Sequence, residues 1–447
     1  MGESCKLNKA SLLLHTQIFP FVLSIVVVRL PILIILYFCM FVTACVFTQV
    51  NSVYAQTQFQ TDPVGTRKPE GFEANGRIFR GIKILPRLEV DTEYNDNLFL
   101  NETNTTEDIG ISVRPKVSFI KEIRDHSFSL DLESDFTRYI ENDNENTESY
   151  FLGHQGIITV LRDLVFQYGL EFRESFLSRN TVGGASQSET PVERQSKSLS
   201  LGFIKQFNRL SVDFRGGYSE TEFEDNVFRD SGDTLAFSNN NRSTTRLKTN
   251  FNYSFKGENV SDIDHNVFLT LSMTRQNFET RNSDNNKYGF LTGFQTSYKD
   301  LVFGRVGIGY FRQNFDNASI DAAEAFDFTA NVSYNPFSRL TLILSGNRDI
   351  NFDNDTSQGV VQTTLGLNVD YEAYHNTFLS AGVTYDNQDV SGSSSDFDTN
   401  TYSLGLQHYL SRYISSSLEL IHETRDSSGM QREYDQNIIR LGITGEL

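Results

Sequence analysis

From residue 82 to residue 447 the chain repeats one pattern. Segments of about 10–16 residues alternate apolar and polar positions, the period of an extended strand with two unlike faces. In one of them Leu164, Phe166, Tyr168, Leu170 and Phe172 fall on one face, and Gln167, Gly169, Glu171 and Arg173 on the other. Leu210, Val212, Phe214 and Tyr218 likewise oppose Ser211, Asp213 and Arg215, and Phe128, Leu130 and Leu132 oppose Ser129, Asp131 and Glu133. No stretch after residue 55 sustains a 3.6-residue period with caps, which excludes a helical fold.

The connections come in two kinds that alternate strictly. Short ones fall at 123–125, 161–163, 207–209, 256–264, 299–300, 335–339, 372–376 and 410–412. Long ones, rich in Asn, Asp, Ser, Thr and Gly, fall at 95–107, 142–147, 180–193, 224–241, 279–285, 316–323, 352–355, 388–397 and 427–431. Eight short and nine long connections join eighteen strands, an even number that begins and ends on the short-turn side.

These features predict an all-β, antiparallel up-and-down transmembrane barrel of outer-membrane type. A closed barrel pairs every backbone group where there is no water to satisfy an open edge. Proline is scarce, as a ladder requires: after Pro86 only Pro115, Pro191 and Pro336 remain. Tryptophan is absent, so interfacial girdles must come from Tyr and Phe, among them Phe119, Phe166, Phe207, Tyr298, Phe378, Tyr409 and Tyr413 beside the short turns. A soluble β-sandwich would explain the alternation but not the interleaved connection lengths.

The first 55 residues read as an export signal. Residues 30–47 are almost wholly apolar behind Arg29, and Val53 and Ala55 form a small-residue cleavage site that places the cut between Ala55 and Gln56. A second apolar run at 18–28 makes the segment long. Either translation begins near Val28, or the region is a helical anchor, since its apolar run reaches the spanning minimum. Lipidation at Cys45 competes, because residues 42–45 resemble a lipobox. All three cysteines, Cys5, Cys39 and Cys45, lie in this region, so the exported chain has no disulfide framework. Residues 56–81 carry Pro63, Gly65, Pro69 and Gly71 without a period and read as a periplasmic linker, leaving the barrel at 82–447.

The chain's formal charge of −18 becomes −20 once Lys6, Lys9, Arg29 and Glu3 are removed with residues 1–55. Such a chain is a poor nucleic-acid partner. The location this implies is the outer membrane of a Gram-negative cell. Its partners there are membrane lipid, lipopolysaccharide, the barrel-assembly machinery and, for an exporter, components of polysaccharide export.

At eighteen strands the interior is too wide for side chains to fill and must line water or a plug. Residues 56–81 are too few for a folded plug. The polar positions assigned to the lumen are Asp131, Glu133, Gln167, Glu171, Arg173, Asp213, Arg215, Arg305 and Arg312. Facing acids and bases there would set a transverse field that tunes selectivity.

Residues 81–115 carry Tyr94-Asn-Asp-Asn-Leu-Phe99, a polar loop with Asp108, and Val113-Arg-Pro115; repeated hairpins follow, closing on Asn437-Ile-Ile-Arg-Leu-Gly-Ile-Thr-Gly-Glu-Leu447. In these features residues 81–447 resemble the outer-membrane family called β-barrel porin 2. The resemblance implies a porin or conduit, with some members tied to exopolysaccharide export, and brings no catalytic residues. The terminal Leu447 departs from the usual Phe but shares an apolar face with Ile439, Leu441 and Ile443.

No residues call for catalysis, a cofactor or a metal. The seven histidines are scattered without ligand spacing. His422 has Glu423 and Ser427 nearby, a neighbourhood common in polar loops. Residues 304–309 contain three glycines inside a strand pattern with no following helix, so a phosphate loop is excluded and the glycines relieve crowding. The oxygen-rich stretches 142–146 and 353–355 could hold Ca²⁺ but read first as solvated acidic loops. The sequence thus leads to a porin or conduit for small solutes or exported polysaccharide. The alternative is a non-conducting barrel whose loops bind partners or lipopolysaccharide.

Overall fold

The computed structural model describes residues 63–180, 185–255, 263–298, 301–352, 359–390, 396–428 and 433–447. The Ala55/Gln56 cleavage site, the cysteines, the turn at 299–300, most of the connection at 256–264 and the acidic stretch 353–355 lie outside these residues.

Eighteen long strands among the described residues form one antiparallel sheet that closes on itself. They are β1 (Ile82–Asn95), β2 (Asp108–Ile123), β3 (His126–Tyr139), β4 (Thr147–Leu161), β5 (Leu164–Phe176), β6 (Glu193–Phe207), β7 (Leu210–Phe223), β8 (Arg242–Ser254) and β9 (Ile263–Phe278). They continue as β10 (Asn285–Tyr298), β11 (Val302–Phe315), β12 (Ala323–Phe337), β13 (Leu340–Phe352), β14 (Gly359–Tyr374), β15 (Thr377–Val390), β16 (Asp396–Ser411), β17 (Ile414–Ser427) and β18 (Tyr434–Glu446). Each pairs with its sequence neighbours, and β1 closes the barrel on β18 from Arg87↔Glu446 to Asn95↔Ile438. Where both flanks are described, the strand boundaries fall within a few residues of the short and long connections expected from sequence, as where strands end at Phe176, Phe337 and Tyr374.

Period-two patterning produces the two faces. Phe166, Tyr168 and Leu170 pair with Phe203, Leu201 and Leu199 on one face, where Leu170, Leu199, Leu201 and Phe203 are exposed and Phe166 and Tyr168 half-buried. Leu441, Ile443 and Leu447 share the outward face of β18 and are likewise exposed. An apolar exterior with no water-soluble covering is the surface a lipid bilayer covers. Register shifts occur at the short-turn ends of four pairs, between Thr159 and Leu161, Tyr334 and Phe337, Glu372 and Tyr374, and Tyr409 and Ser411. Pro336 sits in one of these bulges, where no ladder donor is needed. Pro115 falls where the β2–β3 register skips from Val113 to Lys116.

Residues 63–72 are not a free linker. Val64 is fully buried, and its N–H donates to Thr341 Oγ1 at 2.9 Å. Arg67 donates to the Ser338 carbonyl at 2.9 Å, and Lys68 pairs with Glu446. Phe72 meets His375 and Tyr409 edge-on. Backbone groups that this segment does not pair within itself need partners on the inner wall, and Thr341 and Asp370 supply them to Val64 and Gly65. Phe378 also turns inward and packs edge-on against Tyr409, so these two aromatics grip the N-terminal segment instead of facing lipid. The chain then makes a short strand, Arg77–Phe79, that folds back on β1 through Arg80 and Gly81, both at positive φ.

Candidate functional site: the lumen and its two mouths

Contacts between strands that are not neighbours identify the concave face, since side chains can meet across a barrel only inside it. Lys287 on β10 reaches Asp349 and the Ile350 carbonyl on β13, each at 2.9 Å. The Val64–Thr341 bond marks the same face lower in the wall. Alternation then assigns the remaining inward positions.

The densest inward cluster straddles the seam where β18 meets β1. Arg114 donates to Glu89 at 2.6 Å and also to Asp91. Arg440 donates to Glu93 at 2.7 Å and to Glu419 at 2.6 Å, and Lys116 pairs with Glu133 at 3.1 Å. A cavity of about 720 Å³ opens beside this network, lined by Arg87, Glu89, Asp91, Arg114, Glu419 and Arg440 and reaching Lys68 of the N-terminal segment. Every seam cation has an acid, so this wall is close to electrically compensated. The alternating run Arg87, Glu89, Asp91 and Glu93 carries this network in the sequence, and the reading there missed it because Arg440 and Glu419 join it only by barrel closure.

A second cavity of about 520 Å³ lies along β2–β7 and is lined by Lys116, Asp131, Gln167, Glu171 and Arg215, all but Lys116 among the assigned lumen residues. Asp131 accepts from Ser118 and Ser129, and Arg215 pairs with Asp213 at 2.8 Å. Arg173 stacks on Phe151 with 4.4 Å to the ring centre. Arg305 lies 3.6 Å above the ring of buried Phe268. That close stack needs Gly293 and Gly307, because a Cβ at either would come within 2.8 Å of the Phe268 ring. These are the close approaches for which β10 and β11 keep glycine.

Arg312 is a correction. It lies seven residues from Arg305, and an odd separation in an unbroken register puts the two on opposite faces. Arg312 therefore shares the outward face with Ile308 and Tyr310, opposite Tyr288 and near Glu324 at the long-loop end of β11.

At the long-loop mouth, connections fold over the opening. Arg179 forms a buried pair with Glu145 and donates to the carbonyls of Ala185 and Ser188. Phe99 lies between Arg229, at 3.8 Å, and Arg179, at 5.5 Å. Arg425 on β17 reaches the Asn180 carbonyl at 3.0 Å and so ties the β5–β6 loop to the far side of the mouth. On the other flank, β12–β13 pairing ends at Phe328↔Arg348. Beyond it Ile350 and Val361 pack with Phe311 and Ala323 of β11 and β12 in a buried cluster, so the hairpin end leans against the inner face and narrows the lumen.

The chemistry set aside from sequence stays apart in space. His422 faces outward and bonds Asn437 at 2.9 Å, whereas Glu423 faces inward and accepts from Thr401 and Tyr434. In the 142–146 stretch Glu145 is taken by Arg179, and Asp108 accepts from the Asn142 backbone and side chain. No group of three metal-ligating side chains occurs among the described residues.

The family described as putative beta-barrel porin 2 matches residues 69–447, starting twelve residues before the segment in which the resemblance was first read. No curated protein matches the chain. Among solved structures, the outer membrane protein OpdK from Pseudomonas aeruginosa aligns with 12% identity and a TM-score of 0.45, over 82% of this chain and 99% of that one. OccK2 (OpdF) from the same organism aligns with 11% identity and a TM-score of 0.45, over 82% and 98%. The ferric-catecholate import receptor Fiu from E. coli K12 aligns with 8% identity and a TM-score of 0.43, over 80% and 81%.

Proposed function

The chain belongs to the putative beta-barrel porin 2 family, and from that premise we propose that it is a passive conduit through the bacterial outer membrane, for small solutes or for an exported polysaccharide chain. The observation that carries the reading is the inner wall itself. An eighteen-strand barrel lined by charged side chains holds water, and two cavities of about 720 and 520 Å³ open along that lining. In this reading the short turns face the periplasm and the long loops face outward, as loop length requires in such barrels. Residues 1–55 act as the export signal, and the barrel does no chemistry on its cargo.

One observation favours the runner-up, a non-conducting surface barrel. Both mouths are occupied by their own chain: residues 63–72 at one end, and the Arg179–Glu145 and Arg425–Asn180 contacts at the other. Conductance in planar bilayers decides between them. Discrete current steps from purified, refolded protein support the conduit. Their absence, from protein that folds and inserts, overturns it.

A further inference from the structure

Charge is not spread evenly around the lumen. Among the described residues of β5–β8, the inward positions carry Arg173, Arg194, Arg215, Arg242, Arg246 and Lys248 against only Glu171 and Asp213. Asp213 is taken by Arg215, and Glu171 stands on the far side of Arg173 from Arg194.

The register places four of these guanidiniums in one patch. Arg173 pairs across to Ser196, Ser196 to Thr221, and Thr221 to Arg242. Arg194 lies two residues along from Ser196, and Arg246 four along from Arg242. At about 4.8 Å per strand step the patch is roughly 15 Å wide across the strands, and at about 3.3 Å per residue roughly 20 Å long, because Gly217 joins Arg246 to Ser200, six residues from Arg194. The residues between are small: Ser175, Ser196, Gly217, Ser219, Thr221 and Thr244. Among the described residues, Arg194 donates to Ser175, at 3.2 Å, and Arg246 to Ser219, at 3.3 Å. No described carboxylate lies at ion-pair distance from Arg173, Arg194 or Arg246, in contrast to the seam, where every cation is paired. Arg242, held by the Asn240 carbonyl and the rings of Phe223 and Phe278, adds its positive field beside them. The charges repel one another, Arg242 feeling Arg194 and Arg246, and Arg194 feeling Arg173. Like charges gathered in a partly desolvated wall are destabilising unless a counter-charge visits. Guanidinium forks flanked by hydroxyl donors are the geometry that holds planar carboxylates.

We infer that the β5–β8 wall is a binding strip for carboxylate-bearing solutes, in which Arg173, Arg194 and Arg246 engage the carboxylates, and that the lumen admits anions in preference to cations. This rests on the conduit reading for transport, but binding itself is independent of it. The chemistry is shared by a free uronic acid and by a chain of uronic acid units.

The test uses the full folded barrel. Calorimetric titration in detergent compares galacturonate, an oligogalacturonate and galactose for the wild type, Arg194→Gln, Arg246→Gln and Lys197→Gln. Lys197 lies on the same β6 strand, faces outward, and controls for loss of one positive charge. The expected result is binding of one or both acids but not galactose, weakened at least about tenfold by each arginine variant, unchanged by Lys197→Gln, and recovered in part by Arg194→Lys. Tighter binding of the oligomer assigns the strip to a polyanionic chain, and equal or tighter binding of the monomer to small acids. Bilayer reversal potentials in a KCl gradient give the second readout, with anion preference falling in the arginine variants. Equal binding of galactose and galacturonate, or arginine variants that match the wild type in affinity, overturns the strip. Acid binding without current in bilayers leaves the strip standing and removes the conduit. Current with cation preference overturns the anion preference alone.

Discussion

Replacing Tyr168 or its neighbour Gln167 by Arg separates the two faces of β5. Tyr168 stands four residues in from the short-turn end of the 13-residue strand. Four steps of about 3.3 Å span roughly 13 Å along the strand, or about 10 Å of depth at a tilt of about 40°, inside the roughly 25 Å apolar band. An Arg on the lipid face at such depth costs about 2–4 kcal/mol. Tyr168 also bonds His154 Nε2 at 2.9 Å and lies over Gly156, where a Cβ would clash with its ring. Losing that bond adds about 1 kcal/mol, and losing the ring contacts with His154 and Phe166 adds about 0.5–1.5. Tyr168→Arg should therefore destabilise the barrel by about 3.5–6.5 kcal/mol. Gln167 faces the 520 Å³ cavity with Gly202 and Arg215 beside it, so an added guanidinium meets water. Gln167→Arg should stay within about 0.5 kcal/mol of the wild type and shift selectivity further toward anions. Urea titration of folded barrel in lipid vesicles, followed by the gel-mobility difference between folded and unfolded forms, reads both. If Gln167→Arg fails to fold while Tyr168→Arg matches the wild type, the faces are inverted and the lumen assignment fails with them.

Three further outcomes follow from the mouths. Thr341→Val removes the acceptor of the buried Val64 N–H and the hydroxyl that donates to Asn335 Oδ1 at 2.7 Å; at about 1–3 kcal/mol, trypsin should cut after Arg67 some five- to hundredfold faster, and an unchanged rate would show that the segment is held elsewhere. Arg179→Met strands the buried Glu145 carboxylate, a loss of about 3–5 kcal/mol; a Glu-specific protease should then cleave at the exposed Glu189 about a hundredfold faster or more, and equal rates would mean the loops are not latched by this pair. Cysteines at Ser231, in the β7–β8 loop, and at Asp125, in the β2–β3 turn, are both at exposed positions. An impermeant thiol reagent on intact cells should label the first and not the second, and equal labelling would count against the proposed orientation.

The sequence by itself determined the strand count, the strand ends and the two faces, because each is a local property. Alternation is set by the two-residue period of an extended backbone, and turn length by the Asn, Asp, Gly and Ser content between apolar runs. The inward positions of Asp131, Glu171, Asp213 and Arg305 follow from that period alone. The same rule would have put Arg312 outside, since it lies an odd number of residues from Arg305 in a strand without a bulge. Only the closed tertiary structure decided which inward charges meet. Arg440 finds Glu93, 347 residues away, because the last strand closes on the first. Val64 finds Thr341, 277 residues away, because the wall curves round to it. Arg425 reaches Asn180 because the β5–β6 loop crosses the mouth. A period-two pattern states which way a side chain points but not what stands opposite, and in a barrel the opposite wall belongs to strands with no sequence relation to the first. That is why the seam could be electrically paired while the β5–β8 wall kept Arg173, Arg194 and Arg246 with no described carboxylate at ion-pair distance, a difference that the composition and the alternating pattern leave open.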